Sequence, residues 1–224
     1  SPLSDTPRPG NAKFKKLTPV DPNSTNPYQL TEADRTVIGN TTPKFSGGFG
    51  LNATYKGFDM SMFFNFMYDF DVLNANKIML TTWADNKENN FLMDIASDKR
   101  WRNFDDMGNE IRYSPEVLAE FNKNATMWNP TSIGRPICMS YAVEDGSFLR
   151  LNSATLGYTL PSVWTKKVGL SKVRFYVSGN NLFTLTGYSG YDPEVNIATG
   201  LTPNIDYNRY PRSRTYTFGA QLTF

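Results

Sequence analysis

A regular alternation of apolar and polar side chains is the feature that most limits what this chain can fold into. Near the end of the sequence, Tyr216, Phe218, Ala220, Leu222 and Phe224 alternate with polar or small residues. A period of two indicates a β-strand with one apolar face. Ten residues at ~3.4 Å each span about 34 Å, and a tilt of about 45° reduces this to roughly 24 Å, close to the apolar band of a membrane barrel.

The same alternation recurs in four earlier segments. Lys56-Gly57 separates the first two and predicts a hairpin with a tight glycine turn. In the segment that begins at Phe148 the apolar positions change parity halfway along, which indicates a β-bulge. The five predicted strands cover residues 44–55, 58–75, 146–160, 172–187 and 213–224.

The connections between these strands alternate in length. Residues 56–57 and 161–171 form short links, whereas 72–146 and 188–212 are long and rich in Asn, Asp, Pro and Gly. Short turns on one side and long loops on the other are typical of an outer-membrane barrel, so we predict an all-β, antiparallel transmembrane barrel. A soluble β-sandwich shows the same alternation and stays open as the alternative. Within the first long loop, Ser114 followed by Pro115 and Glu116 predicts the start of a short helix.

Composition excludes several other classes of protein. No apolar run exceeds three residues, whereas a transmembrane helix needs about 20. The net charge is +2, too small to predict a nucleic-acid partner. The chain has no histidine, which removes a Ser-His-Asp triad and His-ligated zinc, and the single Cys138 cannot form an internal disulfide. Carboxylate pairs such as Asp105-Asp106 lie in polar loops, so we predict no enzymatic activity.

Six sequence blocks, in this order, resemble the C-terminal part of SusC-like (RagA-like) TonB-dependent outer-membrane transporters. They are DRTVIGN followed by PKF (34–40 and 43–45), YKGFDMSMFF (55–64), DGSFLRL with LGYTLP (145–151 and 156–161), SGNNLFT (178–184), GYDPE (190–194) and YPRSRTYTFG (210–219).

This resemblance implies an architecture and a function. Such transporters form a closed barrel of 22 strands around an N-terminal plug, and residues 44–224 would supply its last five strands, with residues 1–43 as a preceding extracellular loop segment. The implied function is TonB-dependent import of glycans or oligopeptides across the outer membrane of a Gram-negative cell. The implied partners are the rest of the barrel and plug, a SusD-like surface lipoprotein, TonB, membrane lipid and the oligosaccharide or peptide ligand.

Two rival functions follow from the residues alone. A soluble, secreted β-sandwich that binds glycans would fold without detergent. A secreted eukaryotic-type domain is the other, because Asn23, Asn40 and Asn124 begin glycosylation sequons. A further sequon at Asn52 lies on a predicted strand, as expected when an Asn- and Thr-rich chain produces such triplets by chance.

The chain departs from the family at one place. A calcium-loop pattern, Asp-x-Asn-x-Asp-Gly, usually precedes the DRT block, and residues 21–27 here lack both its third acidic ligand and its glycine. This departure disfavours a calcium ion, and no cofactor is predicted.

Three groups of residues are predicted to carry the function. The predicted lumen lining, taken from strand parity, is Asp59, Asn65, Arg150, Arg174, Tyr176 and Asn180. The predicted contacts with ligand or lid are Trp83, Trp101, Trp128, Tyr188, Tyr191, Asp192 and Glu194. The expected end-strand assembly signal, implied by the resemblance, is Tyr216, Phe218, Leu222 and Phe224. The plainer alternatives are that the tryptophans pack the loop on itself, that Asp192 and Glu194 cap turns, and that the end-strand residues face lipid.

Overall fold

A computed structural model describes residues 8–20, 22–25, 27, 29–82, 90–96, 98–133, 137–194 and 203–224. In chain order the strands are β1 (Phe45–Tyr55), β2 (Phe58–Tyr68), β3 (Asp71–Asn74), β4 (Val143–Asp145), β5 (Phe148–Thr159), β6 (Lys172–Thr186), β7 (Ile205–Asp206) and β8 (Thr215–Thr223). The α-helices are α1 (Ala75–Met79), α2 (Pro115–Phe121) and α3 (Ser162–Thr165), and single 3₁₀ turns cover Glu32–Asp34, Met93–Ile95, Pro130–Ser132, Ser140–Ala142 and Lys166–Val168.

The chain divides into two compact units. We call Gly39–Leu73 with Val143–Phe224 the sheet unit, and Ser1–Ile38 with Asn74–Ala142 the loop unit. The sheet unit contains the five long strands, and the loop unit contains α1, α2 and most of the first long connection.

The five long strands form one antiparallel sheet in the order β1-β2-β5-β6-β8. A strand is found in each of the five predicted segments, and the turn at Lys56-Gly57 has positive φ at both residues (47° and 89°), the signature of a two-residue hairpin. The prediction of one continuous strand over 58–75 is wrong. Asp69 has a φ of 59° and separates β2 from β3, with its carboxylate paired to Lys44 and its N–H donating to the Ser147 hydroxyl.

The predicted bulge in β5 is confirmed at Asn152. The pairing of β5 with both neighbours shifts between Leu151 and Ser153, so Asn152 has no partner on β2 or β6. Because side-chain direction alternates along a strand, the extra residue reverses the parity of everything before it. Without it, Arg150 would lie on the apolar face; with it, Arg150 lies opposite Asn65 on the polar face.

The register gives the sheet two chemically distinct faces. One, the polar face, carries Asp59, Ser61, Thr155, Arg174 and Ser178 among others, although Phe63 also lies there. The opposite, apolar face is largely uncovered within the described part of the chain. Its side chains that are at least 44% exposed are Phe45, Phe49, Leu51, Tyr55, Phe58, Tyr68, Leu156, Phe175, Phe183, Leu185, Tyr216, Phe218 and Leu222.

A second, small sheet lies at the long-loop end of the sheet unit. Its strand order is β4-β3-β7, and the buried side chains there are Phe70, Val72, Phe148 and Tyr188, with Met67 packed against them. Phe70 and Phe148 meet edge to face at a centroid distance of 6.4 Å. The packed hydrophobic cluster of the sheet unit therefore lies at the end where the long loops leave the sheet. It is separate from the exposed apolar side chains of the five long strands.

One aspartate organises the beginning of the loop unit. Asp34 accepts hydrogen bonds from the backbone N–H groups of Leu17, Thr18 and Thr31 at 2.7–2.9 Å and from both threonine hydroxyls. The N–H groups of Thr18 and Thr31 hold the pKa of Asp34 well below its usual range. This single carboxylate thus joins two stretches of chain with little secondary structure.

The helix predicted at Ser114 is confirmed as α2, with Pro115 at its first position. The Ser114 side chain does not make the expected capping hydrogen bond; the residue has a φ of −116° and a ψ of 88°. No helix among the residues that the structure describes is long and apolar enough to cross a membrane.

We predict that Gly57→Ala destabilises the sheet more than Gly169→Ala. Both glycines have left-handed φ values (89° and 74°), so each alanine costs roughly 1–2 kcal/mol of backbone strain. Only at Gly57 would the new methyl group lie 2.8 Å from a backbone oxygen, that of Thr159, whereas nothing lies within 4 Å at Gly169. The folded fraction of the full-length protein, read from heat-modifiable electrophoretic mobility, should fall further for Gly57→Ala. Equal losses would contradict the prediction.

Candidate ligand-contact site

The six residues predicted to line a lumen share the polar face of the sheet. Asp59, Tyr176 and Asn180 lie on it by strand register, as do Asn65 and Arg150 above the bulge. Near the short-link end, Arg174 Nε donates to Asp59 Oδ1 at 2.8 Å and its Nη2 donates to Asp59 Oδ2, giving a bidentate ion pair across β5. The assignment of these side chains to a lumen stays a prediction.

Gly157 allows this ion pair to lie flat on the sheet. It is the β5 residue opposite both Asp59 and Tyr176, and a Cβ there would lie 2.4 Å from Arg174 Nη2 and 2.6 Å from Asp59 Oδ1. A larger residue would displace the guanidinium. The Arg174 guanidinium also lies 5.1 Å from the centre of the Tyr176 ring.

At the long-loop end, four charged side chains form a connected network. Arg150 Nη2 donates to Asp192 Oδ1 at 2.5 Å, and its Nε lies 3.5 Å from Glu194 Oε2. Glu194 Oε1 forms an ion pair with Arg212 Nη2 at 2.9 Å, and the Glu194 N–H donates to Asp192 Oδ1 at 2.9 Å. The Arg150 and Asp192 side chains are only 3% and 7% exposed. The network therefore ties the second long loop to β5 through Arg150 and joins the two ends of that loop through Glu194 and Arg212.

Burial and pairing act against each other on the Asp192 carboxylate. Burial raises its pKa, whereas the hydrogen bonds from Arg150 and from the Glu194 backbone lower it, and the net result is a pKa below the usual range. Asp192 is thus ionised at neutral pH, as its pairing with Arg150 requires.

Tyr188 is buried in the same loop and is already engaged. It is 6% exposed, and its hydroxyl donates to Asp206 Oδ2 at 2.7 Å. Burial and the neighbouring Asp206 raise the pKa of Tyr188 above its usual range, so it stays a neutral donor. Ser189 also ties this loop to β4, since its N–H and hydroxyl donate to the Glu144 carboxylate at 3.0 and 2.8 Å.

The predicted contact residues of the sheet unit therefore differ in availability. Tyr188 and Asp192 are buried and paired within the chain, so their structural roles are visible and a ligand contact would require the loop to open. Tyr191 is 85% exposed, and the Glu194 side chain is 22% exposed. Of these four side chains, Tyr191 is the one most accessible to a partner.

Trp101 and Trp128 line the same cavity in the loop unit, whereas Trp83 lies outside the described residues. The cavity has a volume of about 1320 Å³. Its aromatic and sulfur-containing lining side chains are Phe14, Trp101, Met127, Trp128, Met139 and Tyr141. Cys138 also lines it and is exposed.

The two tryptophans are held differently. Trp128 donates from Nε1 to the Thr81 carbonyl at 3.2 Å and meets Tyr141 edge to face at 5.0 Å, which is the packing role anticipated for it. Trp101 is fixed by its backbone N–H, which donates to the Met127 carbonyl at 2.9 Å, while its buried indole N–H has no hydrogen-bond partner among the described residues. Trp101 is therefore the better candidate for an additional contact.

Several residues of these clusters were not identified from the sequence. In the second long loop, Arg212 pairs with Glu194 and Asp206 accepts from the Tyr188 hydroxyl. In the loop unit, Tyr141 packs against Trp128. Arg212 lies in the YPRSR block, whose sequence indicates a family resemblance but assigns no role to this residue. Asp206 and Tyr141 lie outside any alternating pattern, so periodicity could not select them.

The residues of the expected assembly signal lie on the apolar side of β8 or at its end. Tyr216, Phe218, Leu222 and Phe224 are 60%, 80%, 52% and 89% exposed. Their role in assembly stays a prediction. The part of the chain that the structure describes contains no group of three or more side chains that could ligate a metal ion. Asp21, the first residue of the segment that stands where the family has its calcium-loop pattern, lies outside the described residues.

Comparison with known proteins identifies the class. No protein-family model matches the chain. TonB-dependent receptor P3 of Formosa agariphila is 35% identical over 202 residues, covering 88% of this chain and 18% of that receptor. TonB-dependent receptor SusC of Bacteroides thetaiotaomicron is 38% identical over 88 residues, covering 38% of this chain and 8% of SusC.

Solved structures give the same result. The RagAB peptide importer in its closed-closed state matches with a TM-score of 0.64 and 25% identity, over 88% of this chain and 19% of the importer chain. The open-open state matches with a TM-score of 0.62 and 26% identity, over 91% and 20%. The chain is a homologue of TonB-dependent receptors. Within them it corresponds to a SusC/RagA-like C-terminal segment, about a fifth of the length of the relatives it matches.

We predict that Arg150→Met loosens the second long loop by about 3 kcal/mol, since removing one partner of a buried ion pair leaves the other charge uncompensated. Hydrogen exchange of the amides around Tyr191 in the full-length protein measures the opening. Lys123→Gln, which removes an exposed pair with Glu120, is the control and should change its own region by less than about 1 kcal/mol. Exchange unchanged by Arg150→Met would show that the network does not hold the loop.

The same loop should respond to acid. The folded-state pKa of Asp192 lies below the usual value of about 3.8 for an aspartate, so its contribution to stability is complete above that value and is lost as the pH falls through the folded pKa. Amide protection corrected for intrinsic exchange should be constant from pH 7 to about pH 5 and fall below pH 4. Asp192→Asn should flatten this profile; an unaltered profile would assign the acid response to another group.

Proposed function

We propose that this chain supplies five consecutive wall strands and two extracellular loops of a closed 22-stranded barrel that imports ligands across the outer membrane. One observation carries the proposal, namely the uncovered apolar face opposite a charged polar face. A membrane barrel requires this arrangement, because its outer side contacts lipid and its inner side faces a polar lumen. Strands of 9 to 15 residues also suit a bilayer, which a tilted β-strand crosses in about 9–11 residues.

The edges of the sheet support closure with further strands. In the described sheet, β1 and β8 each have a neighbour on one side only, so each presents a long row of unpaired backbone groups. Unpaired N–H and C=O groups cost several kcal/mol each in lipid, so an open sheet would be unstable there. The rest of the receptor would provide the missing strands and the plug.

The β-sandwich alternative receives no comparable support. A sandwich requires a second sheet across the apolar face. Among the residues described, the other sheet is the short β4-β3-β7, whose buried neighbours Phe70, Val72, Phe148 and Tyr188 lie at the long-loop end.

The transported ligand and the partners form the finer part of the proposal. We infer an oligopeptide or oligosaccharide ligand, energy coupling through TonB outside these residues, and a SusD-like lipoprotein over the extracellular mouth. The names of the relatives support this inference, since they include the RagAB peptide importer and the TonB-dependent receptor SusC. Tyr191 and Trp101 are the side chains of this chain that we expect to contact ligand or lid. A non-enzymatic role is part of the same proposal.

Co-purification tests the proposed partner. The full-length protein, affinity-tagged and extracted from outer membranes in detergent, should retain a surface lipoprotein in a stable ratio. An otherwise intact preparation without any lipoprotein would contradict that partner, and recovery of the protein in a soluble fraction without detergent would contradict the barrel itself.

A charge placed on each face of one strand tests the barrel. Leu156→Arg should lower the stability of the folded protein by roughly 2–4 kcal/mol, because Leu156 is 49% exposed on the apolar face, where a charge would lie in lipid. Thr155→Arg, one residue away on the polar face, is the matched control and should be tolerated. Urea unfolding in lipid vesicles gives both free energies. In a soluble domain the order would not follow the faces, and Leu156→Arg would be nearly neutral.

The assembly signal has its own test. Phe224→Ala should reduce the amount of heat-modifiable barrel in the outer membrane several-fold if the ring is part of a recognised end-strand signal. Phe45→Ala is a control, because Phe45 is also exposed on the apolar side, at 64%, and lies outside the end strand. Equal amounts of assembled barrel in both variants would leave Phe224 with a lipid-facing role alone.

A further inference from the structure

The short link between β5 and β6 is an ordered part of the sheet unit. It contains α3 and the 3₁₀ turn Lys166–Val168, and α3 packs against β6. Thr165 is 2% exposed and its carbonyl accepts from the Leu170 N–H at 3.1 Å. The Ser171 N–H donates to the Thr223 carbonyl of β8 at 2.8 Å. The surface that the link presents is therefore fixed relative to the strands.

That surface is apolar where a solvent-facing link would be polar. Val163, Trp164 and Val168 are 69%, 59% and 70% exposed and lie within a stretch of six residues. Single exposed apolar residues need no explanation, but a cluster marks an interaction surface. The link that carries the cluster leads directly into β6, whose apolar side presents Phe175, 51% exposed.

The charges beside this cluster have one sign. Lys166, Lys167 and Lys172 are exposed, and the sequence contains no Asp or Glu between Asp145 and Asp192. The other short link repeats the combination, since the Lys56 ammonium lies 5.2 Å from the centre of the exposed Tyr55 ring. We call this set the short-link rim: Tyr55, Lys56, Val163, Trp164, Lys166, Lys167, Val168 and Lys172.

The opposite end of the same sheet is chemically different. Its loops carry the carboxylates of Asp69, Asp145, Asp192 and Glu194, which are paired with cations or backbone groups of the chain. Near the short-link rim, by contrast, the Asp59 carboxylate is held by Arg174 in a bidentate ion pair, and Lys172 is the rim lysine close enough to interact with it. The rim is thus a basic and aromatic band at one end of an apolar wall.

We infer that the short-link rim binds the headgroups of anionic phospholipids. This inference rests on the proposed function, in which the adjoining apolar face contacts lipid. Trp and Tyr prefer the membrane–water interface, where an apolar ring and a polar N–H or O–H are both accommodated. Lysines just outside the hydrocarbon attract anionic headgroups and can extend to reach them. Trp164 and Val163 enter the interface, and the lysines contact phosphate.

The continuity of this surface favours lipid over a protein partner. A protein docked on the rim would cover the lysines and the valines but would end where the strands enter the bilayer. A lipid occupies both surfaces at once, since its acyl chains lie on the sheet and its headgroup lies at the rim. A protein occupant is an outcome that the experiment below would detect.

The test places a reporter on the rim of the full-length receptor. In a Cys138→Ser background with any other cysteines replaced, Ser162→Cys is labelled with bimane, and the protein is reconstituted in nanodiscs of phosphatidylcholine. Brominated phosphatidylglycerol or brominated phosphatidylcholine is then titrated in as a quencher. Half-quenching should need a several-fold lower mole fraction of the anionic lipid, and 0.5 M salt should abolish the difference.

Substitutions separate headgroup recognition from general lipid contact. Lys166→Gln with Lys167→Gln should remove most of the preference, at about five-fold in relative affinity for each lysine. Trp164→Ala should weaken quenching by both lipids alike. Lys99→Gln with Lys123→Gln removes two exposed charges from the loop unit and should leave the preference intact.

The outcomes distinguish the two levels of the proposal. Equal quenching by both lipids, or a preference that survives loss of Lys166 and Lys167, would overturn the headgroup inference while the barrel stands. No quenching by either lipid in a properly inserted protein would place solvent or protein at the rim and would also overturn it. Failure of the unmodified receptor to insert in nanodiscs would instead contradict the proposed function.

Discussion

The backbone hydrogen-bond ladder that runs through β1, β2, β5, β6 and β8 determines the side of the sheet on which each side chain lies. In water, such a sheet would normally have to bury its apolar face, and in this chain the ladder instead leaves a wall of aromatic and aliphatic side chains uncovered. The same ladder brings Asp59 and Arg174 together although they are 115 residues apart in sequence. Both the exposed wall and the paired charges on its other side are consequences of one register.

Charge pairing then orders what the ladder cannot reach. The second long loop leaves the sheet after β6, and its return is fixed by Asp192 and Glu194, which contact Arg150 on the wall and Arg212 before β8. In the loop unit, which has few regular elements, the Asp34 carboxylate accepts five hydrogen bonds and holds two stretches of chain together. Long polar connections are therefore positioned by a few carboxylates with many donors.

The sequence predicts the parts of this structure that depend on local periodicity. The five strands, the hairpin at Gly57, the bulge at Asn152 and the helix at Pro115 all follow from residue spacing or turn chemistry. The break at Asp69 does not, because a left-handed aspartate depends on Lys44 and Ser147, which are distant in sequence. For the same reason Tyr188 and Asp192 could be selected as unusual loop residues, but their burial depends on Asp206 and Arg150 and was not foreseen.

The bulge at Asn152 sets a rule for how this segment can change in length. Asn152 is unmatched on both neighbouring strands, and this one extra residue decides which side chains between Phe148 and Leu151 lie on the polar face and which lie on the apolar face. A single deletion there would turn Arg150 outward into the apolar wall and Leu151 inward, while the removal of two residues would keep their directions. Insertions and deletions in the upper half of β5 should therefore occur in pairs in related proteins, whereas the long loops impose no such parity.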